Sequence, residues 1–240
     1  MMRLNKYLAD CGIGARRKCD KLIQEGQVRV NGVTETRLGV KINEKSDRVI
    51  LNTREVKPVK KYEYILLNKP KGIITTVSDE RNRKSVLDII KVRERIFPVG
   101  RLDRETSGLL ILTNDGDLTH KLTHPKYEIK KIYRVTLDRD LTENDRKEFQ
   151  SGVKLDEGIT GKCTIEFLSW QNRKNLEVTL RQGWNRQIRR MFAVLGYEVI
   201  TLKRVGLGFL NLKGLRIGQW RRLTSPEVKL LKAMSNGNQK

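Results

Sequence analysis

Two carboxylates, Asp103 and Glu105, stand in the segment GRLDRETSGLLILTNDG (Gly100 to Gly116), in a polar, turn-forming run directly before the apolar run Leu109 to Leu112. Such an apolar run reads as a short buried strand. The carboxylates therefore stand at the rim of a core, where loops held by a rigid strand commonly carry chemistry. An ionised carboxylate there can act as a nucleophile or as an ion-pair partner. The same spacing also allows a plainer arrangement, with Asp103 paired on the surface to Arg101 or Arg104, since exposed pairs are common and weak.

Other chemistries find little support. There is no GxxxxGK[ST] loop for nucleotide phosphates and no HExxH; His120 and His124 lie four apart in HKLTH without a third ligand, so no metal site is expected. Gly206 and Gly208 in VGLGF lack the third glycine and following helix of a dinucleotide fingerprint and read as turn glycines. Two histidines in the whole chain and no GxSxG segment argue against a nucleophilic triad. The remaining expectation is carboxylate chemistry with no small-molecule cofactor.

Fifty Lys and Arg against 28 Asp and Glu give the 240-residue chain a net charge of +22, which calls for a polyanionic partner. No run approaches the length of a membrane-spanning helix, and MMRLNKYLADCG lacks the apolar core of a signal peptide. Nucleic acid, a cytoplasmic location and no membrane are therefore expected. Cys11, Cys19 and Cys163 are odd in number and contain no CxxC pair, so neither a disulfide framework nor a cysteine zinc site is supported.

These features need elements to position them. Leu4, Tyr7, Leu8 and Cys11 follow the spacing of an amphipathic helix over Arg3 to Cys11, ended by Gly12. A second helix is predicted from about Ala15 to Glu25, with Cys19, Leu22 and Ile23 inward, Arg16, Arg17, Lys18 and Lys21 exposed, and Gly26 as its C-cap. Val28 and Val30 then alternate with polar partners before Asn31-Gly32, a strong tight-turn signal. Arg3, Lys6 and Arg29 add charge to this module, which carries 14 Lys and Arg against seven Asp and Glu over Met1 to Lys60. The basic cluster reads either as a nucleic-acid surface or as a solvated helix face. Asn52 to Lys61 reads as a linker.

Beyond it, strands are predicted at Tyr62 to Leu67, Ile73 to Val77, Ile132 to Leu137, Thr164 to Leu168, Leu176 to Leu180, Glu198 to Leu202 and Gly214 to Leu223, with a turn at Asn68 to Gly72. Helices are predicted at Ser85 to Lys91, Asp117 to Leu122, Thr142 to Phe149 (capped by Thr142 with Asp145) and Asn185 to Leu195. Strands outnumber helices without βαβ alternation. The expected fold is α+β, with domains at 1–60 and 61–240 and a mixed, largely antiparallel sheet in the second.

The run RLNKYLADCGIGARRKCDKLIQEGQVRVNG resembles the RNA-binding domain first described in small-subunit ribosomal protein S-four. That resemblance implies that the second helix and the Asn31-Gly32 turn meet folded RNA through phosphate and shape contacts. Farther on, NKPKGIITTVSDERNRKSVLD, PVGRLDRETSGLLILTNDGDL, KIYRV and GWNRQIRRMFAVLGYEV resemble, in order and spacing, the ribosomal-RNA pseudouridine synthases of the RsuA/RluB/RluF/RluE family, most closely the RluB branch, which modifies large-subunit RNA.

The resemblance implies that Asp103 is the catalytic aspartate, that Tyr133 stacks on the target base and that Arg189 pairs with Asp103. Lys69 in the turn bordering the site, with Arg101, Arg186 and Arg190, supplies the expected RNA contacts of this domain. Tyr133 alternates with Val135 and also suits a core position, and Arg186, Arg189 and Arg190 also suit a phosphate-binding helix face. Family members commonly carry a basic residue where Trp184 stands; a tryptophan could stack on a base instead. A monomer acting on ribosomal RNA is expected. A noncatalytic RNA-binding or ribosome-assembly factor keeping this fold would account equally well for the charge and the first module, and the motifs leave small-subunit RNA open as the target.

Overall fold

The computed structural model describes residues 1–58 and 61–234. It divides into two compact units, Met1–Glu63 with Asn114–Gly116, and Tyr64–Thr113 with Asp117–Lys240.

In the first unit the helices Leu4–Asp10 and Arg16–Gln24 pack Leu4, Tyr7, Leu8, Cys19 and Ile23 onto Val28, Ile42 and Val49. Arg16, Arg17 and Lys18, in the first turn of the second helix, are exposed. Strands Val28–Val30 and Val33–Thr34 form a hairpin whose turn residues, Asn31 (φ 51) and Gly32 (φ 86), both take the left-handed backbone that a type I′ turn requires. The linker expected from Asn52 begins later than its composition suggested. Asn52 (φ 55) turns the chain so that Arg54–Glu55 pairs with Val49–Leu51, and the carbonyl of Val56 accepts from the Tyr7 hydroxyl at 3.0 Å. Positions 59–60 of that linker lie outside the described residues.

The second unit is built on one sheet. Its path runs Thr164–Phe167, Asn175–Leu180, Lys131–Leu137, Val199–Leu207, Ser107–Thr113, Tyr64–Lys69, Trp220–Arg222, with the short strands Leu210–Asn211 and Phe97–Pro98 attached. All pairings are antiparallel except that of Val199–Leu207 with Ser107–Thr113, so the sheet is mixed and largely antiparallel, in an α+β fold. Every residue of Ser107–Thr113 is buried. Leu109 and Ile111 enter one apolar cluster and Leu110 and Leu112 another, so both faces are covered, and this is why the run is continuously apolar instead of alternating. Helices Glu143–Ser151 and Gln187–Val194 cover a third cluster, where the Phe149 and Phe192 rings lie 4.3 Å apart.

Several elements differ from their sequence patterns. Ile73 to Val77 is not a strand; one bridge, Ile74 to Ser85, replaces it. Ser85 to Lys91 contains only the single turn Val86–Asp88, because Ser85 and Asp88 cap each other reciprocally and close it. The last strand shrinks to Trp220–Arg222, while Val199–Leu207 extends past Leu202 because Lys131–Leu137 pairs along its length. Helix Ser225–Met234 was not anticipated.

Candidate active site

The loop bearing Asp103 is held by its main chain. Lys69, at the end of the Tyr64–Lys69 strand, is fully buried, and its Nζ donates to the carbonyls of Thr106 (2.9 Å), Pro70 (3.0 Å), Asp103 (3.2 Å) and Arg104 (3.3 Å). The Gly72 amide donates to the Arg104 carbonyl at 2.8 Å, and the Thr75 hydroxyl donates to that of Leu102 at 2.8 Å. The NKPKGIITT segment is thus a cradle for the aspartate loop. It also corrects the expectation that Lys69 contacts RNA, because an ammonium enclosed by four carbonyls and 0 % exposed has no path to a phosphate. Burial lowers the Lys69 pKa to about 8, against the raising influence of Glu105 and Asp103.

At the start of the buried Ser107–Thr113 strand, where it pairs with Lys69, Gly108 (φ 107) faces the Arg204 backbone, and a Cβ there would lie within 2.1 Å of the Arg204 carbonyl oxygen. Only glycine permits the close parallel pairing of Ser107 and Gly108 with Lys203 and Arg204.

Asp103 and Tyr133 line one cavity of about 280 Å³, together with Arg101, Thr106, Lys131, Trp184, Arg186 and Arg204 among others. The plainer surface pairing of Asp103 is not formed. Arg104 approaches Glu105 at 3.7 Å instead, both well exposed, while Asp103 is half-buried. Tyr133 is half-buried, packed against two apolar clusters and still part of the cavity wall, so it serves both core and site.

Arg189 does not meet Asp103 as its motif implied. Its Nη1 donates to the Val199 carbonyl at 2.7 Å and its Nε is buried without an acceptor; no contact ion pair with Asp103 forms among the described residues. Burial, then the charge of Arg186, lowers the Arg189 pKa, while Asp103 and Glu105 act to raise it, so the coupling to the aspartate is through space. The three arginines also do not share one role. Arg186 (φ 48) is exposed at the helix N-cap and lines the cavity; Arg190 is held by Glu157 at 2.6 and 2.8 Å and by the Asn185 carbonyl at 2.9 Å. That engagement corrects the phosphate contact expected of Arg190, because all three of its nitrogens already have acceptors.

Four further residues shape this neighbourhood: Thr75, Lys131 and Gln187 stand inside the NKPKGIITT, KIYRV and GWNRQIRRMF motifs with no role assigned to them there, and Arg204 lies outside every motif. Thr75 braces the aspartate loop. Gln187, 4 % exposed, accepts from the Trp184 amide at 3.0 Å and donates to Gln182 at 3.2 Å, fixing the turn that presents Trp184 and Arg186. Lys131 donates to the carbonyls of Ile129 and Arg181, and burial with the nearby Arg204 charge lowers its pKa to about 8. Arg204 is 4 % exposed. A signal for it existed in the chain, since it shares strand parity with Leu202, an interior position.

In the first unit Arg16, Arg17, Lys18 and Arg29 are exposed, as is Arg3. Lys6 is paired with Asp10 at 3.0 Å and Lys21 with Glu25 at 3.7 Å. The Asn31 side chain accepts from the Arg48 amide at 2.8 Å and donates to Asp47 at 3.1 Å, so it braces the hairpin rather than standing free for RNA. Among the described residues no helix is long and apolar enough to cross a membrane, and no cluster of three potential metal ligands occurs.

The chain matches the family model for RNA pseudouridylate synthase over residues 63–194 and that for the S4 domain over residues 2–49. It is 44% identical to the ribosomal large subunit pseudouridine synthase B of Bacillus subtilis (strain 168), covering 98% of each chain. It is 37% identical to the dual-specificity RNA pseudouridine synthase RluF of Escherichia coli (strain K12), over 99% of this chain and 81% of that one. A crystal structure of a pseudouridylate synthase superposes with a TM-score of 0.70 at 28% identity, over 96% of this chain and all of the other. With a buried cradle presenting one aspartate to a cavity that a tyrosine and several cations line, and with relatives matched along nearly its whole length, the chain belongs to the RNA pseudouridylate synthase family.

Proposed function

We propose that this enzyme converts a specific uridine of large-subunit ribosomal RNA to pseudouridine, with Asp103 acting on a uridine flipped into the cavity, Tyr133 stacking on its base and Arg189 coupled electrostatically to the aspartate. The observation that carries the reading is the convergence of Asp103 and Tyr133 on one cavity, with the Asp103 main chain clamped by Lys69. The isomerisation breaks the bond between ribose and the ring nitrogen, rotates the bound uracil and rejoins it through carbon five. No atom is gained or lost and no electron is transferred, so the reaction itself calls for no redox cofactor, and none of metal or nucleotide type is included in the reading. An ionised carboxylate can attack either sugar or base. Tyr133 offers a flat face to the base.

The choice of the large subunit draws on the Bacillus relative, whose name carries that substrate. The unit carrying Arg16, Arg17, Lys18 and Arg29 serves docking on folded RNA, and the unit that begins at Tyr64 serves chemistry. Arg101 and Arg186, exposed at the cavity rim, receive the phosphates that flank the target. The reading takes the protein as a monomer acting in the cytoplasm on ribosomal RNA. The test is incubation with unmodified large- and small-subunit ribosomal RNA transcripts, followed by mapping of carbodiimide-dependent reverse-transcription stops. New stops confined to large-subunit RNA are expected. Stops on small-subunit RNA alone would overturn the substrate assignment, and no stops on either would overturn the activity. Turnover in excess chelator should be unchanged on RNA shown by probing to remain folded.

A further inference from the structure

Arg204 lies in the Val199–Leu207 strand, opposite Tyr133 on one neighbouring strand and Gly108 on the other. It is 4 % exposed, and it lines the same cavity as Asp103 and Tyr133. Its Nε donates to the Leu109 carbonyl at 2.7 Å, which fixes the plane of the guanidinium, and its Nη2 is buried with no acceptor. A buried charged donor left without an acceptor loses its hydration without return. A guanidinium held at Nε and unsatisfied at Nη2, in a residue that lines a cavity, is a donor for something that enters the cavity.

Depth decides what that something is. Arg101 and Arg186 are exposed and suit phosphates, which stay near water. Arg204, almost wholly buried, is reached only by the part of a nucleotide that goes furthest in, the base. When the bond from ring nitrogen to ribose breaks and its electron pair stays with the base, uracil becomes an anion whose charge is shared with its carbonyl oxygens. Rotation then brings carbon five to the ribose carbon, the new bond forms, carbon five loses its proton and the ring nitrogen takes one up. A fixed cation in a water-poor site stabilises that transient charge without having to reorganise.

We propose that Arg204 is a further catalytic residue, which donates from its unsatisfied Nη2 to a carbonyl oxygen of the flipped uracil and stabilises the base as an anion while it is detached. This rests on the reading of the cavity as the isomerisation site.

The test compares wild type and Arg204→Met in single-turnover reactions on RNA carrying uridine, 2-thiouridine or 4-thiouridine at the target, since sulfur is a weaker hydrogen-bond acceptor than oxygen. On uridine, Arg204→Met should lose about 100-fold or more in rate, the scale seen when one preorganised donor is removed, with RNA affinity within a few fold of wild type. On the thio-substrate that replaces the contacted oxygen, the further loss caused by Arg204→Met should shrink to less than about tenfold. An equal loss on all three substrates, a loss confined to affinity, or a near wild-type rate would overturn the role. Arg204→Lys keeps a cation and should show the same substrate pattern with a smaller loss; it is read in the same way if the Met variant does not fold. Failure of wild type to modify uridine in any ribosomal RNA would instead remove the isomerisation reading, and this role with it.

Discussion

The ammonium of Lys69 lies 3.2 Å from the backbone carbonyl of Asp103, with three more carbonyls of the same neighbourhood at 2.9 to 3.3 Å. The lysine that precedes the proline of NKPKG therefore acts on the position of the aspartate and not on RNA. Replacing it should loosen the loop while leaving the carboxylate in the chain.

Lys69→Met should reduce the single-turnover rate by about tenfold or more with little change in RNA affinity, because a misplaced catalytic group weakens the transition state more than the ground state. A pH signature accompanies it. Folding depresses the Lys69 pKa to about 8 from an ordinary value of 10.5, so between those values the unfolded chain binds more protons. Its contribution to stability is fully present above pH 10.5 and is lost as pH falls through about 8. Urea unfolding should show wild type gaining stability relative to Lys69→Met as pH rises from 8 toward 10. A difference that is flat or of opposite sign would contradict the depressed pKa.

Asp103→Asn should abolish pseudouridine formation and leave RNA binding within a few fold, since the amide matches the carboxylate in shape but cannot serve as nucleophile or counterion. A rate within about tenfold of wild type, only ~1.4 kcal/mol in barrier, would remove Asp103 from the mechanism.

Arg189→Ala should damage the chemical step more than Arg190→Ala. Arg189 is half-buried, electrostatically coupled to Asp103 and fixed by the Val199 carbonyl. Arg190 is committed to a bidentate pair with Glu157, and losing a partly exposed pair costs about 1 kcal/mol of stability or less. Single-turnover rates of the two variants decide between them; the reverse ranking would move the cationic role to Arg190.

Reversing the charge at Arg16, Arg17 and Lys18 to glutamate should weaken binding to ribosomal RNA and flatten its salt dependence, with the slope falling by roughly one for each phosphate that is no longer neutralised. These side chains are exposed in the first turn of the helix, so the fold should survive. Unchanged affinity and slope in a filter-binding titration from low to moderate salt would mark the cluster as a solvated face.

Local pattern carried much of this protein. The Leu4, Tyr7, Leu8 spacing, the Asn31-Gly32 turn and the apolar run before Thr113 each determine their element from neighbours in sequence, because helix periodicity, left-handed turn backbone and two-sided burial are short-range requirements. The ordered motifs around Asp103, Tyr133 and Gln187 likewise made the family legible. Partnership was not legible. Whether Lys69 faces RNA or four carbonyls, whether Arg189 reaches Asp103 or Val199, and whether Arg190 meets phosphate or Glu157 depend on partners such as Thr106, Val199 and Glu157, 37, 10 and 33 positions away, that only the folded sheet brings near. Arg204 is the clearest case. Its cationic side chain reads as surface and its strand parity with Leu202 is the one hint in the chain, yet the parallel crossing at Gly108 buries it beside Tyr133, and the penalty of an unpaired buried cation marks it as part of the site.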